Sequence, residues 1–151
     1  MPSYKHILVP TDGSKLSLKA AKEAAALAKG LKAKMTAIYV IAPYMPTLDA
    51  EGAIGMRHGY DQKAYEVASE KFAQSATAKI AATAAAINVE CAQIHVTDPA
   101  PWDGIIRAAA KNKCDLIVMS SHGRGSLSGL LLGSETVKVL AHSKTPVLVC
   151  R

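Results

Sequence analysis

The residues best able to do chemistry gather in the C-terminal third of the chain. Ser120-Ser121-His122-Gly123-Arg124-Gly125-Ser126 follow the apolar run Leu116-Ile117-Val118-Met119, and the stretch closes at Gly133-Ser134. A buried strand that feeds a glycine-rich loop, with a helix starting at its end, aims backbone N–H groups and a positive helix end at one point. That is a seat for phosphate. The stretch is not a G-x-x-x-x-G-K-[ST] loop, and Gly13-Ser14-Lys15 lacks the upstream glycine such a loop needs. It also fails the G-x-G-x-x-G pattern, because Gly123 and Gly125 are followed by Gly129, one residue late. The residues alone leave a second reading open, in which the glycines make turns and Ser134 is an N-cap. Glu135 suits the dipole of the helix it opens, yet its charge would repel a phosphate close by.

Asp12, in Pro10-Thr11-Asp12-Gly13, stands at the end of the first apolar run. A carboxylate there can accept hydrogen bonds from ribose hydroxyls or an adenine amine, or hold a metal that arrives on phosphates. Asp is equally suited to a turn at that position. Arg124 carries the guanidinium fork that matches phosphate oxygens. His122 has no Cys or carboxylate at metal-ligand spacing, and no metal site is expected from the chain itself. No G-x-S-x-G elbow is present, and Asp12 or His122 would be the sole evident water-activating bases. Trp102, in Pro99-Ala100-Pro101-Trp102, reads as a packing residue.

Apolar strand-like runs alternate with helical patterns and position these residues. Strands are expected at 6–9, 35–41, 89–96, 115–119 and 146–150. A helix capped by Ser14 should run to about Lys32, with Leu16, Ala20, Ala24, Leu27 and Leu31 at helical spacing. An alanine-rich helix is expected over about 60–87, one opened by Pro101, and a last one over 134–142. Residues 42–59, broken by Pro43, Pro46, Gly52, Gly55 and Gly59, follow no regular pattern. Strands apolar on both faces, each followed by a helix, predict a single-domain α/β fold over 1–151, a doubly wound parallel sheet with helices on both faces. Ligands in such sheets settle at the carboxyl ends of the strands, where the strand order reverses.

Composition narrows the partners. The 151 residues carry 18 Lys and Arg against 12 Asp and Glu, a net charge of +6. Lys15, Lys19, Lys22, Lys29, Lys32 and Lys34 are spaced among alanines with no aromatic interleaving, which predicts a solvated face and no nucleic-acid partner. Cys91, Cys114 and Cys150 lie in or beside apolar runs and read as buried, reduced thiols. With no signal-like or membrane-length apolar segment, the expected setting is the cytoplasm, with no membrane partner.

Across nearly its whole length the chain resembles the universal stress protein family. The resemblance rests on residues 6–14 (His6-Ile7-Leu8-Val9-Pro10-Thr11-Asp12-Gly13-Ser14), on Cys114-Asp115-Leu116-Ile117-Val118-Met119, on Gly123 followed by nine residues and then Gly133-Ser134, and on Pro146-Val147-Leu148-Val149. It implies a five-stranded parallel sheet of order 3-2-1-4-5. Nucleotide-binding members are similar in carrying G-x-x-G-x9-G-[ST]; this chain departs at the first position, where Ser120 adds a Cβ and, wherever φ must be positive, strain. The resemblance further implies a cofactor, ATP (or ADP or AMP) with Mg, held by eleven residues. Pro10, Thr11 and Asp12 would form the adenosine wall, and Val40 would offer backbone groups to adenine. Met119 and Ser120 would close the strand end, with Gly123 and Arg124 near ribose and phosphates. Gly133, Ser134 and Glu135 would present N–H groups to phosphate, the Glu135 side chain pointing away.

It also implies a homodimer through residues 146–150, which would cover an open strand edge. The function that follows is an ATP-binding, cytoplasmic stress-response sensor or regulator. The alternatives are a dimeric interaction protein of the same fold that binds no nucleotide, and a slow ATP hydrolase.

Overall fold

A computed structural model describes residues 3–46, 58–123 and 131–151 of the protein. The elements run β1 (His6–Pro10), α1 (Lys15–Leu31), β2 (Lys34–Ile41), α2 (His58–Ala85), β3 (Cys91–Thr97), α3 (Pro101–Lys111), β4 (Leu116–Ser120), α4 (Ser134–His142) and β5 (Val147–Cys150). The strands form one sheet of order β3-β2-β1-β4-β5, with every neighbouring pair parallel. Helices α1 and α2 cover one face, and α3 and α4 the other. The strand order reverses between β1 and β4, so a crevice opens above their carboxyl ends.

The central strands are buried as their sequences demand. Ile7, Leu8 and Val9 of β1 and Ile117 and Val118 of β4 have no exposed surface. β3 departs from the expectation of strands apolar on both faces. It starts at Cys91, not at Val89, and Ala92, Gln93, His95 and Thr97 are exposed. An edge strand is covered only as far as α2 and α3 reach over it, so its sequence tolerates polar side chains.

α1 begins as expected, with the Ser14 side chain accepting the Ser17 N–H at 3.2 Å. It ends at Lys32 in the left-handed conformation (φ 56°). Its buried face takes in Ala20 and Ala24 of the expected stripe but not its leucines. Leu16 is exposed and Leu27 and Leu31 are only partly buried, whereas Ser17, Ala20, Ala21, Ala24, Ala25 and Ala28 lie against the sheet. Small side chains on that face let the helix backbone sit close over β1 and β4. The leucines are left to fill the flanks. All six lysines that the sequence placed on a solvated face are exposed.

α2 spans His58–Ala85 where residues 60–87 were expected; a turn in which Asn88 takes φ 61° ends it before Ile87 joins. Cys114 and Cys150 are buried, and burial pushes both thiols up to about 11. Cys91 is only half-buried on the edge strand, which corrects the expectation for that residue. Among the described residues no helix is long and apolar enough to cross a membrane.

The alanine face makes a direct prediction. Ala24→Leu forces a large side chain into a fully buried position beneath β1 and β4, and should destabilise the fold by about 1–3 kcal/mol. Urea unfolding reads this as a lower midpoint; an unchanged midpoint would mean that α1 does not sit close on the sheet.

Candidate functional site

Three backbone junctions build the crevice. After β1, Thr11 is buried and its N–H donates to the Ile38 carbonyl at 2.9 Å, which holds the chain beside β2 for one residue beyond the strand. The Thr11 hydroxyl accepts the Gly13 N–H at 3.1 Å, and the Asp12 carboxylate accepts the Ser14 N–H at 2.9 Å. Gly13 has φ 84°, a conformation open to glycine. The turn role and the crevice role of Asp12 therefore coexist, since the carboxylate closes the turn and lines the cavity.

After β4, Ser120 donates its hydroxyl to the His122 carbonyl at 2.7 Å. Its φ is not positive, so a side chain at this position costs no backbone strain. The Ser121 hydroxyl lies 3.0 Å from His122 Nδ1.

The third junction is the start of α4. Gly133, not Ser134, is the N-cap, and no side chain caps it. The Gly133 N–H donates to the Ser121 carbonyl at 2.7 Å, and the Thr136 hydroxyl donates to the Ser120 carbonyl at 3.0 Å. A Cβ on Gly133 would lie 3.2 Å from the Ser121 oxygen and 3.3 Å from His122 Cα. The helical ladder begins with Val137 N–H donating to the Gly133 carbonyl at 3.0 Å. The amides of Ser134, Glu135 and Thr136 thus precede the first acceptor within the helix and face out of its positive end.

Together these junctions enclose a cavity of about 310 Å³. Ten of the eleven residues singled out in the sequence line it: Pro10, Thr11, Asp12, Val40, Met119, Ser120, Gly123, Gly133, Ser134 and Glu135. Arg124 lies outside the described residues. Sequence reasoning missed Ser17, Ile38, Tyr39, Pro101, Ile105 and Thr136 as lining residues. Ile105 and Pro101 come from α3, whose approach to α4 no local pattern announces.

Thr136 could have been found from its place two residues after Gly133-Ser134, in the first turn of the helix. The described lining carries two carboxylates, Asp12 and Glu135, and among the described residues no lysine or arginine. Glu135 does not point its charge at the helix end: its Oε2 accepts the Trp102 N–H of α3 at 2.9 Å. Among the described residues no group of three potential metal ligands occurs.

This is a doubly wound α/β protein with a glycine-walled cavity at its switch point. The model of the universal stress protein family matches residues 3–151, and the chain belongs to that family. It is 36% identical over 153 residues to the universal stress protein MJ0531 of Methanocaldococcus jannaschii, covering 98% of this chain and 82% of that one. The fold is similar to the solved structure of protein MJ0577, with a TM-score of 0.79 and 28% identity over 98% of this chain and 96% of the other. It is also similar to a universal stress protein solved in complex with cAMP, with a TM-score of 0.63 and 26% identity over 99% of this chain and 98% of that one.

The tight meeting of the β1 and β4 loops can be tested at Gly123. A Cβ there would run into the Asp12 carboxylate. Gly123→Ala should swing that carboxylate off the Ser14 N–H, at a cost of about 0.5–1.5 kcal/mol for the lost hydrogen bond. Chemical denaturation measures the loss; wild-type stability in the variant would place the carboxylate elsewhere.

Proposed function

We propose that this protein binds an adenine nucleotide in the cavity above β1 and β4 and acts in the cytoplasm as a nucleotide-responsive stress regulator. The observation that carries the reading is the convergence of ten sequence-selected residues on one cavity of about 310 Å³, a volume in the range of small-ligand sites. In this reading Asp12 and the backbone at Val40 take the adenosine end. The amides of Ser134, Glu135 and Thr136 take phosphate, with Gly133 allowing the close approach. The similarity to a relative solved with cAMP supports an adenine ligand. ATP is the proposed ligand among ATP, ADP and AMP. Mg would arrive on its phosphates, and the Asp12 carboxylate is the kind of hard oxygen donor it takes.

Regulation fits better than dedicated catalysis. Asp12 is engaged by the Ser14 amide, and His122 Nδ1 by the Ser121 hydroxyl. In this reading both side chains serve the shape of the loops that line the crevice. The 1–151 chain acts as one nucleotide-binding domain in this reading.

Calorimetry on nucleotide-stripped protein should detect binding of Mg-ATP, and Gly133→Val should abolish it. The added side chain meets the Ser121 carbonyl and pushes α4 off β4. No heat at millimolar ATP overturns the proposal, and unchanged affinity in the variant moves the site elsewhere.

A homodimer belongs to the same proposal. β5 ends the sheet with Leu148 44% exposed, and Val137 and Leu140 of the neighbouring α4 are 48% and 42% exposed. An open edge beside apolar side chains is suited to pairing with a second copy through residues 146–150. Light scattering at micromolar concentration should return twice the chain mass; the mass of a single chain overturns the dimer.

A further inference from the structure

Glu135 lines the cavity, yet its carboxylate is committed to another helix. Oε2 accepts the Trp102 N–H at 2.9 Å, and Oε1 lies 3.8 Å from Lys138 Nζ. The bond answers a need of α3. The N-cap of that helix is Ala100, which offers no side-chain cap, so the Trp102 amide is one of the first-turn donors without an acceptor in its own helix. Glu135 supplies that acceptor from the first turn of α4.

The Trp102 ring then lies against His142 at a centroid distance of 4.7 Å. Residues 135 and 142 are seven apart, hence on one face of α4 two turns apart. Trp102 therefore holds α4 near both of its ends, by its amide at the first turn and by its ring at the last. β4 fixes the same first turn from the other side, through the Gly133 N–H to Ser121 and the Thr136 hydroxyl to Ser120.

A carboxylate in the first turn of a helix is drawn to the positive end of that helix. Left without the Trp102 amide, Glu135 would settle over the N–H groups that face the cavity. Those are the groups assigned to phosphate above.

We propose that Glu135 is a positioning residue for nucleotide binding: the Trp102 amide holds its carboxylate off the phosphate seat, and the same bond fixes the first turn of α3 against that of α4. The inference rests on the nucleotide reading of the cavity. It explains how an acidic residue can stand beside a phosphate site without occupying or repelling it. The main chain of Glu135 faces the ligand while its side chain caps the neighbouring helix.

Two variants separate positioning from charge. Glu135→Gln keeps an acceptor oxygen for the Trp102 amide and removes the charge, whereas Glu135→Ala removes both. By calorimetry, AMP and Mg-ATP should bind the Ala variant about fivefold more weakly or worse, the scale of a lost charge-assisted hydrogen bond only partly transmitted to the site. The Gln variant should stay within about twofold of wild type for AMP, because a neutral acceptor keeps about half of such a bond and the geometry it fixes. Wild-type or tighter binding by the Ala variant, or equal losses in both, overturns the proposal.

Amide hydrogen exchange at Trp102 in the ligand-free protein reads the clamp without any nucleotide. It should be faster in Glu135→Ala than in wild type, and equal rates overturn the proposal. The emission of Trp102, the single tryptophan, should respond to AMP in wild type and in the Gln variant but not in the Ala variant. A wild-type protein that binds no nucleotide removes the function reading and this role with it. Intact wild-type binding with an indifferent Ala variant removes this role alone.

Discussion

The amide of Gly133 donates to the carbonyl of Ser121 at 2.7 Å, and a Cβ at Gly133 would crowd the facing backbone at 3.2–3.3 Å. The shape of the cavity depends on that approach. It brings the N-terminus of α4 down onto the end of β4, so that three amides of its first turn open toward the carboxyl ends of the strands. β4 lies beside β1 in the sheet, so the same contact sets α4 opposite the turn that carries Asp12. The Thr136 hydroxyl on the Ser120 carbonyl repeats the tie one turn along. Two bonds and a missing methyl group thus shape an ordinary switch-point crevice into a pocket of about 310 Å³.

Carboxylates serve this fold chiefly as acceptors for main-chain amides at the joints between elements. Asp12 takes the Ser14 N–H after β1, and Asp98, only 5% exposed, takes the Ala100 N–H before α3 while pairing with Arg107. Asp115 takes the N–H groups of Lys5 and His6 and so aligns the start of β1 with β4. Glu135 takes the Trp102 N–H between α3 and α4. Each bond satisfies a donor that its own element leaves unpaired, and each ties together segments that must keep register. The lysines of α1 are exposed, where water screens their charge.

Much of the fold was legible because its signals are local. Ser14 caps α1, Pro101 opens α3, and the apolar runs at β1 and β4 form the buried centre of the sheet. Asp12 and the glycines and serines of the two loops stood out by composition and turn chemistry, whereas Val40 and Met119 came from the family resemblance. The misses share a cause. The stripe expected for α1 is buried at Ala20 and Ala24, but its leucines are left at the flanks, and the residues against the sheet are alanine and serine. β3 reads as an apolar strand, yet its edge position leaves alternate side chains in water. Ser120 looked like the weak point of the glycine pattern. Its backbone stays in a region open to any residue, and its hydroxyl closes the loop onto His122.

Element order, the parallel doubly wound class, the family and the two loops that meet above the sheet are all legible in the order of residues along the chain. These rest on period, capping and turn chemistry, which act over a few residues at a time. Which residues of α1 meet the sheet, how tightly Gly133 meets Ser121, and where the Glu135 carboxylate goes emerge once the elements pack. Those outcomes depend on how close two elements come and on which amides are left without acceptors. Both are properties of segments distant in the chain: Glu135 and Trp102 stand 33 residues apart and meet because α3 and α4 pack on one face of the sheet.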